Sequence, residues 1–399
     1  MGRAATTSSS PKSRCGPLDA AAVIRLAFCL DNFQIGGTEL NAVRWVEQLD
    51  PAQFTLTVFH FHADGPLRTR FEHAGARLVH VPLRHLYGPG AFMQGIRLAR
   101  RLARERVQVF HAQEIYSNIF GVPWARIAGV PAVIASRRWG PRTGRPAHRI
   151  ANRWASRAAH RVVANSPSVA ALVTREDGIP ASRIVCMPNC VAEGAFQDLA
   201  AAERAWWRAT LNVPDNAALI GITARLDRLK DHQTLFRAFA RIAALFPETH
   251  LVCVGDGPMR RELTDLVRTL QLESRVHLVG TLTPSFNVHQ LFDVSVLCSS
   301  TEGFPNAVIE AMAAARPVVA TRVGGIVDAI HDQETGVLIE PGNAEALATA
   351  LTQLLTAPDR ARALGTAARA HVRGEYHQDR VIGRLSAWYA SLAAPPREN

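Results

Sequence analysis

The sequence predicts an α/β protein with two doubly wound parallel sheets. Short apolar runs rich in valine and isoleucine alternate with amphipathic stretches along most of the 399 residues, as is typical of strands that helices cover on both faces. The alternation stops between residues 192 and 216, where a Pro-Asp-Asn turn signal occurs, and then resumes. Because the length predicts two or three domains, we expect two α/β domains of similar size, joined near residue 210.

The apolar runs are the expected strands. In the first half they are 23–31, 54–61, 77–83, 107–113, 132–138, 161–166 and 183–189. In the second half they are 218–226, 249–257, 275–280, 294–300, 317–323 and 336–341. The last segment, DRVIGRLSAWYASL (379–392), has the pattern of an amphipathic helix. Ligands of such sheets bind beyond the carboxyl ends of the strands, so we expect the loops there to carry the chemistry.

The pattern divides the chain into four segments. We expect a disordered tail at 1–20, a first domain at 21–205, a second domain at 206–375 and a C-terminal helix at 376–399. The tail fits the permissive N-myristoylation pattern at Gly2 and Thr6, but it lacks the apolar core of a secretory signal. No apolar run reaches the roughly 18 residues that span a bilayer.

Cysteine usage indicates a reducing compartment. Five of the six cysteines lie in or beside apolar strand-like segments, namely Cys29, Cys186, Cys190, Cys253 and Cys298. Cys186 and Cys190 share the sequence CMPNC, but a metal site needs further ligands and none lie nearby in the sequence. We therefore expect buried thiols, no bound metal and a cytoplasmic protein.

The positive charge is concentrated in one region. The formal net charge is +11, and residues 84–161 contain 15 arginines against two acidic residues, which indicates phosphates, nucleic acid or an anionic membrane surface as a partner. Within 137–161, arginine occurs at 137, 138, 142, 145, 149, 153, 157 and 161, near Trp139 and Trp154. A basic helix with tryptophan predicts peripheral contact with an anionic membrane, and a solvated helix face is the alternative. No nucleic-acid recognition module accompanies the charge, so nucleic acid is not an expected partner.

The strand tip ARLDRLKDH (224–232) contains an unusual lysine. The 45 basic residues include only two lysines, Lys12 in the N-terminal tail and Lys230 here. A helix is expected to begin near Asp231, a favourable N-cap residue, so Lys230 precedes a helix N-terminus, where a cation is electrostatically unfavourable. Arg225 leaves the same strand tip. Two cations and a helix N-terminus in one place predict an anion between them.

The segment EGFPNAVIEAMAAA (302–315) carries two carboxylates at one end of an element. A helix is expected from about Asn306, with Glu302 at its start and Glu310 about one turn inside. Such carboxylates can grip neighbouring sugar hydroxyls through charge-assisted hydrogen bonds, and the backbone around Gly303 and Phe304 can face a phosphate or a sugar oxygen. An acidic residue at a helix start is explained by the helix dipole, but Glu310 interrupts an otherwise apolar helix.

Glycine-rich turns and one histidine are weaker signals. Gly255 and Gly257 follow a strand in VGDGP, and Gly36 and Gly37 lie between the first strand and its helix. Such turns permit close backbone approach to a ligand, although each is as often only a tight turn. His111 ends the strand VQVF (107–110) at a ligand-facing tip, where a lone histidine is more often structural.

These motifs resemble the retaining glycosyltransferases of family 4, which have the GT-B fold. The resemblance covers roughly residues 23–390 and is most specific in the second domain, where ARLDRLKDHQTL, VGDGP and EGFPNAVIEAMAAARPVVAT occur in the family's order. In the first domain, GGTE and VVANSPSV match more loosely. The resemblance implies two Rossmann-like domains that face each other across a cleft, with the C-terminal helix crossing back to the first domain.

The resemblance also implies which residues bind the donor. Arg225 and Lys230 would contact the donor diphosphate, and Gly37 would approach the phosphates from the first domain. Glu302 would contact the transferred sugar, together with the backbone of Gly303 and Phe304. Glu310 would contact the ribose, and residues 277–280 would contact the base. Arg225, Lys230 and Glu302 are the catalytic candidates, and the glycines at 36, 37, 255 and 257 are substrate-binding candidates.

Two departures from the family pattern concern the acceptor side. Many members carry a histidine at the tip of the strand here written VIASRRW (133–139), where this chain has Arg137 and Arg138. We therefore take His111 and Arg138 as acceptor-side candidates. Many members have Asn-Gly-Val-Asp at the end of the first domain, where this chain has NCVA (189–192), which predicts a different turn between the domains.

The expected function is retaining, metal-independent transfer of a sugar from a UDP- or GDP-sugar to a lipid-linked or glycan acceptor. The place would be the inner face of the membrane, in cell-envelope polysaccharide or glycolipid synthesis. The donor is a co-substrate, and no cofactor is expected. The alternatives are a nucleotide-sugar 2-epimerase of the same architecture and a basic nucleic-acid-binding protein. A dehydrogenase is disfavoured because GDGP does not complete Gly-x-Gly-x-x-Gly.

Overall fold

The computed structural model describes residues 23–138, 146–282 and 288–394. Within these ranges it contains thirteen strands in two parallel sheets, and each strand lies inside one of the apolar runs that predict it. The tail at 1–20, with Gly2, Thr6 and Lys12, lies outside the described residues, as does the segment 139–145 of the arginine-rich region.

The first domain contains a seven-stranded sheet. Its strands are β1 (Ile24–Leu30), β2 (Phe54–His60), β3 (Arg77–His80), β4 (Val109–Ala112), β5 (Ala132–Arg137), β6 (Arg161–Ala164) and β7 (Ile184–Cys186), in the order β3-β2-β1-β4-β5-β6-β7. Alternate residues of β1 pack into two different cores, with Ala27 and Cys29 on one face and Leu26, Phe28 and Leu30 on the other. A strand buried on both faces needs apolar residues throughout, which explains the continuous runs.

The second domain contains a six-stranded sheet of the same kind. Its strands are β8 (Ala218–Thr223), β9 (Thr249–Val254), β10 (Val276–Gly280), β11 (Val294–Leu297), β12 (Val318–Thr321) and β13 (Val337–Ile339), in the order β10-β9-β8-β11-β12-β13. In both sheets the chain order reverses beside the first strand of the domain, between β1 and β4 and between β8 and β11. These switch points are where open α/β sheets bind ligands.

Helices cover both sheets. They are α1 (Gly37–Gln48), α2 (Arg68–His73), α3 (Pro89–Arg104), α4 (Ile115–Ile127), α5 (Pro146–Ala158), α6 (Pro167–Leu172), α7 (Ala201–Thr210), α8 (His232–Leu245), α9 (Arg260–Thr269), α10 (Asn306–Ala313), α11 (Ile326–Ala329), α12 (Ala344–Thr356), α13 (Pro358–Glu375) and α14 (Gln378–Ala393). The predicted starts near Asp231 and Asn306 agree with α8 and α10.

The chain passes between the domains twice, and the two crossings are hydrogen-bonded to each other. The Val191 N–H donates to the Tyr376 carbonyl at 2.8 Å, and the Gln378 N–H donates to the Val191 carbonyl at 3.0 Å. Helix α14 then packs on the first domain, where Leu385 and Tyr389 are buried beside β1. The expected return of the C-terminal helix is therefore confirmed, whereas the boundaries at residues 20, 205 and 375 stay predictions.

The five cysteines that lie in the described residues are free thiols, as the sequence indicates. Cys29, Cys190, Cys253 and Cys298 are buried, and Cys186 is half-buried. Burial raises the pKa of Cys190 to about 11, so this thiol stays protonated near neutral pH. In the described parts of the chain, no group of three or more His, Cys, Asp or Glu side chains is placed to hold a metal ion.

Candidate active site

The starts of α1 and α10 meet across the cleft between the domains. A Cβ atom on Gly37 would lie only 3.5 Å from the Asn306 side-chain nitrogen. Asn306 also accepts a hydrogen bond of 2.7 Å from the amide of Asn189, in the turn that leaves the first domain. Two helix N-termini, each with free backbone N–H groups, therefore face the same space. Gly37 thus faces the second domain at an ordinary van der Waals distance, and its expected approach to the donor phosphates stays a prediction.

Lys230 and Glu302 are brought together at the strand tips of the second sheet. Lys230 ends a short 3₁₀ turn after β8, and its ammonium forms an ion pair with Glu302 Oε1. Ser299 Oγ donates to the same oxygen at 2.7 Å. The two bonds orient the carboxylate and leave Oε2 for a ligand. An ammonium has three N–H donors, so Lys230 can serve Glu302 and an anion together.

The backbone conformation of Asp231 places Lys230 just before the start of α8. Asp231 adopts the left-handed conformation with φ 46° and accepts from the Thr234 N–H at 3.3 Å and from the Thr234 hydroxyl at 2.7 Å. The chain is thereby reversed at the start of α8, as the predicted N-cap requires. The Ser300 N–H donates to the Leu229 carbonyl at 2.7 Å, which joins this turn to the loop that carries Glu302.

Gly255 and Gly257 position the loop that carries Arg225. A Cβ atom on Gly255 would overlap with the Ala224 carbonyl, and one on Gly257 would overlap with the Leu226 carbonyl. The glycines therefore have a packing role in the structure, and their expected contact with substrate stays a prediction. Arg225 itself is exposed beyond the tip of β8. Among the described residues its guanidinium has no ion-pair partner, and such a group is suited to an anion.

A second pair of glycines supports the Glu302 loop, and the sequence analysis did not assign them a role. A Cβ atom on Gly324 would overlap with the Glu302 carbonyl, and one on Gly325 would overlap with the Gly303 carbonyl. The sequence feature that could have indicated this role is the double glycine that follows β12. Phe304 packs edge-to-face on Tyr376 at 5.3 Å, which anchors the loop to the crossing segment.

Glu310 pairs with an arginine of the other domain. Arg44, on α1, donates to Glu310 Oε1 at 2.7 Å and to the Cys190 carbonyl at 3.1 Å. The pair is largely buried, with side-chain exposures of 13% and 6%. On the far side, His289 Nε2 lies 3.9 Å from Glu310 Oε2. Burial lowers the pKa of His289 to about 4, against the opposite effect of the Glu310 charge, so this imidazole is neutral.

Arg44 is a site residue that was not predicted from the sequence. The sequence feature that could have indicated it is a charged residue on the buried side of α1, since its neighbours Val43 and Trp45 are both completely buried.

Gly36 is the N-cap of the same helix, two turns before Arg44, and a Cβ atom there would overlap with the Glu39 carboxylate. Burial raises the pKa of Glu39. Neither Gly36 nor Gly37 adopts the left-handed backbone.

His111 lies in the core of the first domain, and its expected acceptor-side role stays a prediction. It is completely buried, with Nδ1 2.6 Å from the Tyr389 hydroxyl and Nε2 2.8 Å from the Ser136 hydroxyl. Burial lowers the pKa of His111 well below its usual value, with a smaller effect from the Arg138 charge. The histidine therefore links β4 and β5 to the C-terminal helix.

Arg138 is buried at the end of β5. Its guanidinium donates to Gln113 at 2.9 Å and to Asn189 at 3.3 Å, and it stacks on Trp45 at 4.6 Å. Burial lowers the pKa of Arg138 to about 10. Asn189 in turn donates to Asn306 at the start of α10, so Asn189 links Arg138 to the cleft. Its acceptor-side role stays a prediction.

Only part of the arginine-rich segment 137–161 is exposed, so the basic face is smaller than the sequence predicts. Arg137 is buried, with ion pairs to Asp177 at 3.0 Å and Glu176 at 3.2 Å. Arg138 is buried as described above, and Arg142 and Arg145 lie outside the described residues. The exposed basic face is on α5, where Arg149, Arg153 and Arg157 accompany Ile150 and Trp154, which are 60% and 65% exposed.

The residues that are expected to contact the base lie at the edge of the second sheet. Residues 277–280 are in β10, and the Gly255 N–H donates to the Gly280 carbonyl at 2.8 Å. His277 stacks on His250, with ring centroids 5.2 Å apart. The contact of this strand with a base stays a prediction.

Two Rossmann-like sheets that face each other across a cleft, with a C-terminal helix that returns to the first domain, define the GT-B class. The structure of HepE from Anabaena in complex with UDP and glucose superposes with a TM-score of 0.83 at 20% identity, over 92% of this chain and all of that chain. At this identity the likeness shows the fold alone.

The sequence matches identify the family. Residues 36–190 match the glycosyl transferase 4-like domain, and residues 203–371 match the glycosyl transferases group 1. The chain belongs to the group 1 glycosyltransferases of family 4, as the sequence motifs indicate.

Curated relatives match over part of their length. The D-inositol 3-phosphate glycosyltransferase of Corynebacterium urealyticum is 31% identical over 200 residues, 48% of this chain and 47% of that protein. The N-acetyl-alpha-D-glucosaminyl L-malate synthase of Bacillus anthracis is 32% identical over 162 residues, 41% of this chain and 42% of that protein. The chain thus spans about half the length of these relatives.

The contact between Arg44 and Glu310 predicts a coupled loss of stability. Removal of one partner of a buried ion pair leaves an uncompensated charge, so Arg44→Met and Glu310→Gln should each lower the free energy of unfolding by about 3 kcal/mol. The double variant should lose less than the sum of the two. Urea denaturation followed by circular dichroism measures these values.

Arg70→Met is the matched control, because Arg70 pairs with Glu47 on the surface of α1 at 2.8 Å. It should cost less than about 1 kcal/mol. Additive losses in the double variant would contradict a direct interaction across the cleft.

Proposed function

We propose that this chain transfers a sugar from a nucleotide-diphosphate donor, a UDP- or GDP-sugar, to an acceptor hydroxyl with retention of configuration. The observation that carries the proposal is the pairing of Lys230 with Glu302 on the loop that leads into α10, the helix whose start meets that of α1 and whose Glu310 pairs with Arg44. Family membership supports the transfer reaction over the epimerase and nucleic-acid alternatives. The HepE structure, which contains UDP, supports a uridine nucleotide.

The donor diphosphate is the expected ligand of the two cations. Cleavage of the sugar–diphosphate bond builds negative charge on the leaving oxygen and positive charge at the anomeric carbon. Lys230 and Arg225 stabilise the leaving oxygen from the second domain, and the N–H groups at the start of α1 do so from the first. These groups are in place before the reaction, and the proposal therefore needs no metal.

The two glutamates hold the rest of the donor. Glu302 accepts hydrogen bonds from hydroxyls of the transferred sugar through Oε2, since Lys230 and Ser299 occupy Oε1. Glu310 accepts from the ribose hydroxyls through the oxygen that Arg44 leaves free. In the proposed reaction the bond from the anomeric carbon to the phosphate oxygen breaks. The acceptor oxygen then bonds to the same face of that carbon, and its proton passes to the diphosphate.

The proposed acceptor is lipid-linked or a glycan, in envelope polysaccharide or glycolipid synthesis at the cytoplasmic face of the membrane. Support comes from the exposed face of α5, where arginines lie beside Ile150 and Trp154. Such a face binds the headgroup region of an anionic bilayer. No helix in the described ranges has the length and hydropathy that a membrane crossing requires.

Lys230 provides the first test of this function. Lys230→Ala should lower kcat by about 10²–10³, as loss of a preplaced charge does in other enzymes. Lys230→Arg should also lower kcat, because the guanidinium is larger and places its charge differently. The measurement is UDP or GDP release from a panel of nucleotide sugars, with product anomers identified by NMR.

Arg228→Ala, in the same 3₁₀ turn, is the control and should retain wild-type kcat. Full activity of Lys230→Ala would overturn the site assignment. Wild-type kcat in Lys230→Arg would show that only the charge matters. An inverted product anomer would contradict retention.

The α5 face provides the second test. Arg149→Gln combined with Trp154→Ser should weaken binding to phosphatidylcholine vesicles that contain phosphatidylglycerol by about fivefold or more, since each surface arginine contributes about 1 kcal/mol. Arg153 and Arg157 are left intact because both donate to the Asp177 carbonyl. Co-sedimentation measures the binding.

Arg362→Gln combined with Trp206→Ser removes an equally exposed charge and indole from the other domain. This control should bind as the wild type does. Equal loss in both variants, or no vesicle binding by the wild type, would contradict membrane contact through α5.

A further inference from the structure

Glu39 lies in the first turn of α1, where the donor phosphates are expected, and the proposed function assigns it no role. Its carboxylate folds back over the start of the helix, since a Cβ atom on Gly36 would overlap with Glu39 Oε2. The carboxylate also accepts a hydrogen bond from its own backbone N–H. A negative charge of the protein itself therefore lies at the helix N-terminus that is expected to bind the phosphates.

The ionised form of Glu39 is destabilised at this place. The side chain is half-buried, and burial raises its pKa. The Asp31 charge adds to the rise, while the bond to the backbone N–H and the Arg138 charge oppose it. A raised pKa means that the carboxylate is less stable here than in water. A stronger anion can therefore displace it from the helix start.

Arg138 carries a charge that lacks a carboxylate partner. Its guanidinium donates to the neutral side chains of Gln113 and Asn189 and stacks on Trp45. Its buried Nε has no hydrogen-bond partner among the described residues. In the same ranges neither Arg138 nor Glu39 forms an ion pair, yet each charge favours the ionised form of the other. Buried charges are normally paired, so the two groups are suited to pair in another state of the site.

Both groups border the start of α1 from the first domain. Arg138 stacks on Trp45 of that helix, six residues after Glu39, a rise of about 9 Å along the helix axis. Arg138 also donates to Asn189, which donates to Asn306 at the start of α10. The guanidinium therefore lies behind the place where the starts of the two helices meet.

We propose that Glu39 is a displaceable substitute for the donor diphosphate. Its carboxylate covers the start of α1 in the free protein and turns to Arg138 when the diphosphate binds. The inference rests on the proposed transfer reaction, in which that diphosphate contacts the start of α1. When the reaction is complete, the carboxylate returns to the helix start, lowers the affinity for the nucleotide product and thereby speeds its release. Glu39 and Arg138 are positioning residues in this scheme.

Isothermal titration calorimetry with UDP and GDP tests this exchange without turnover. Glu39→Gln keeps the shape of the side chain and removes its charge, so it should bind the nucleotide about tenfold more tightly than the wild type, a gain of about 1.4 kcal/mol. The matched control is Glu47→Gln, which removes a carboxylate near the other end of α1, where Glu47 pairs with Arg70. It should bind as the wild type does. Uridine and guanosine, which lack phosphates, should bind the wild type and Glu39→Gln equally.

The Arg138 position is tested by a double-variant cycle. Arg138→Met removes the second partner of the carboxylate and should weaken nucleotide binding about tenfold. The same substitution should have little effect in the Glu39→Gln background, because no charge is left to receive. Equal losses in both backgrounds would overturn the role of Arg138. If Arg138→Met does not fold, a crystal structure of the wild type with nucleotide decides instead: Glu39 beside Arg138 supports the exchange, and Glu39 still over Gly36 overturns it.

The outcomes separate this inference from the proposed function. Unchanged or weaker nucleotide binding by Glu39→Gln, beside normal binding by the wild type, would show that Glu39 only caps the helix, and the proposed function would stand. Tighter binding that extends equally to the nucleosides would also overturn the inference, because the gain would not involve the phosphates. Absence of UDP and GDP binding by both the wild type and Glu39→Gln would overturn the proposed function and this inference with it.

Discussion

The ion pair between Arg44 and Glu310 joins the two domains, and the geometry of the candidate site depends on it. Arg44 belongs to α1, whose start carries Gly36 and Gly37, and Glu310 belongs to α10, whose start follows the Glu302 loop. A direct bond of 2.7 Å between the two helices therefore sets the spacing of both N-termini. Buried charges are costly without a partner, so opening of the cleft between these helices must rehydrate both groups.

This dependence gives Arg44 a positioning role. The residue also donates to the Cys190 carbonyl at 3.1 Å, in the turn that leaves the first domain. One guanidinium thus joins Glu310, the residue proposed to bind the ribose, to the interdomain turn. In the proposed function, binding of a donor ribose by Glu310 would therefore be coupled to the contact between the domains.

The two halves of the cleft are built differently. On the donor side, loops pack against loops through glycines, with Gly255 against Ala224 and Gly324 against Glu302. Such contacts allow little movement, as preorganised charge stabilisation requires. On the first domain, the loops that follow β1, β2 and β3 line a groove with mostly polar side chains. This difference agrees with the sequence motifs, which match the family pattern closely in the second domain and only loosely in the first.

The strands and the donor motifs were predictable from sequence because their causes are local. A strand buried on both faces needs a continuous apolar run, and a helix start such as Asp231 has its own side-chain signature. Lys230 was detectable because the chain contains almost no lysine. The role of Arg44 was not predictable, since its partner is 266 positions away.

The surroundings of His111 were not predictable for the same physical reason. His111 occupies a strand tip, as its position in the sequence indicates, but the returning C-terminal helix covers it and supplies Tyr389 as a partner. The groove is assembled from three loops that only the strand order brings together. Sequence spacing carries no information about either contact.

A crystal structure of the protein with UDP bound would test the proposed donor site. We expect the diphosphate between Lys230, Arg225 and the start of α1, with the ribose hydroxyls on Glu310 and the Arg44 ion pair intact. UDP bound elsewhere, or a ribose bound only after Arg44 has left Glu310, would contradict it.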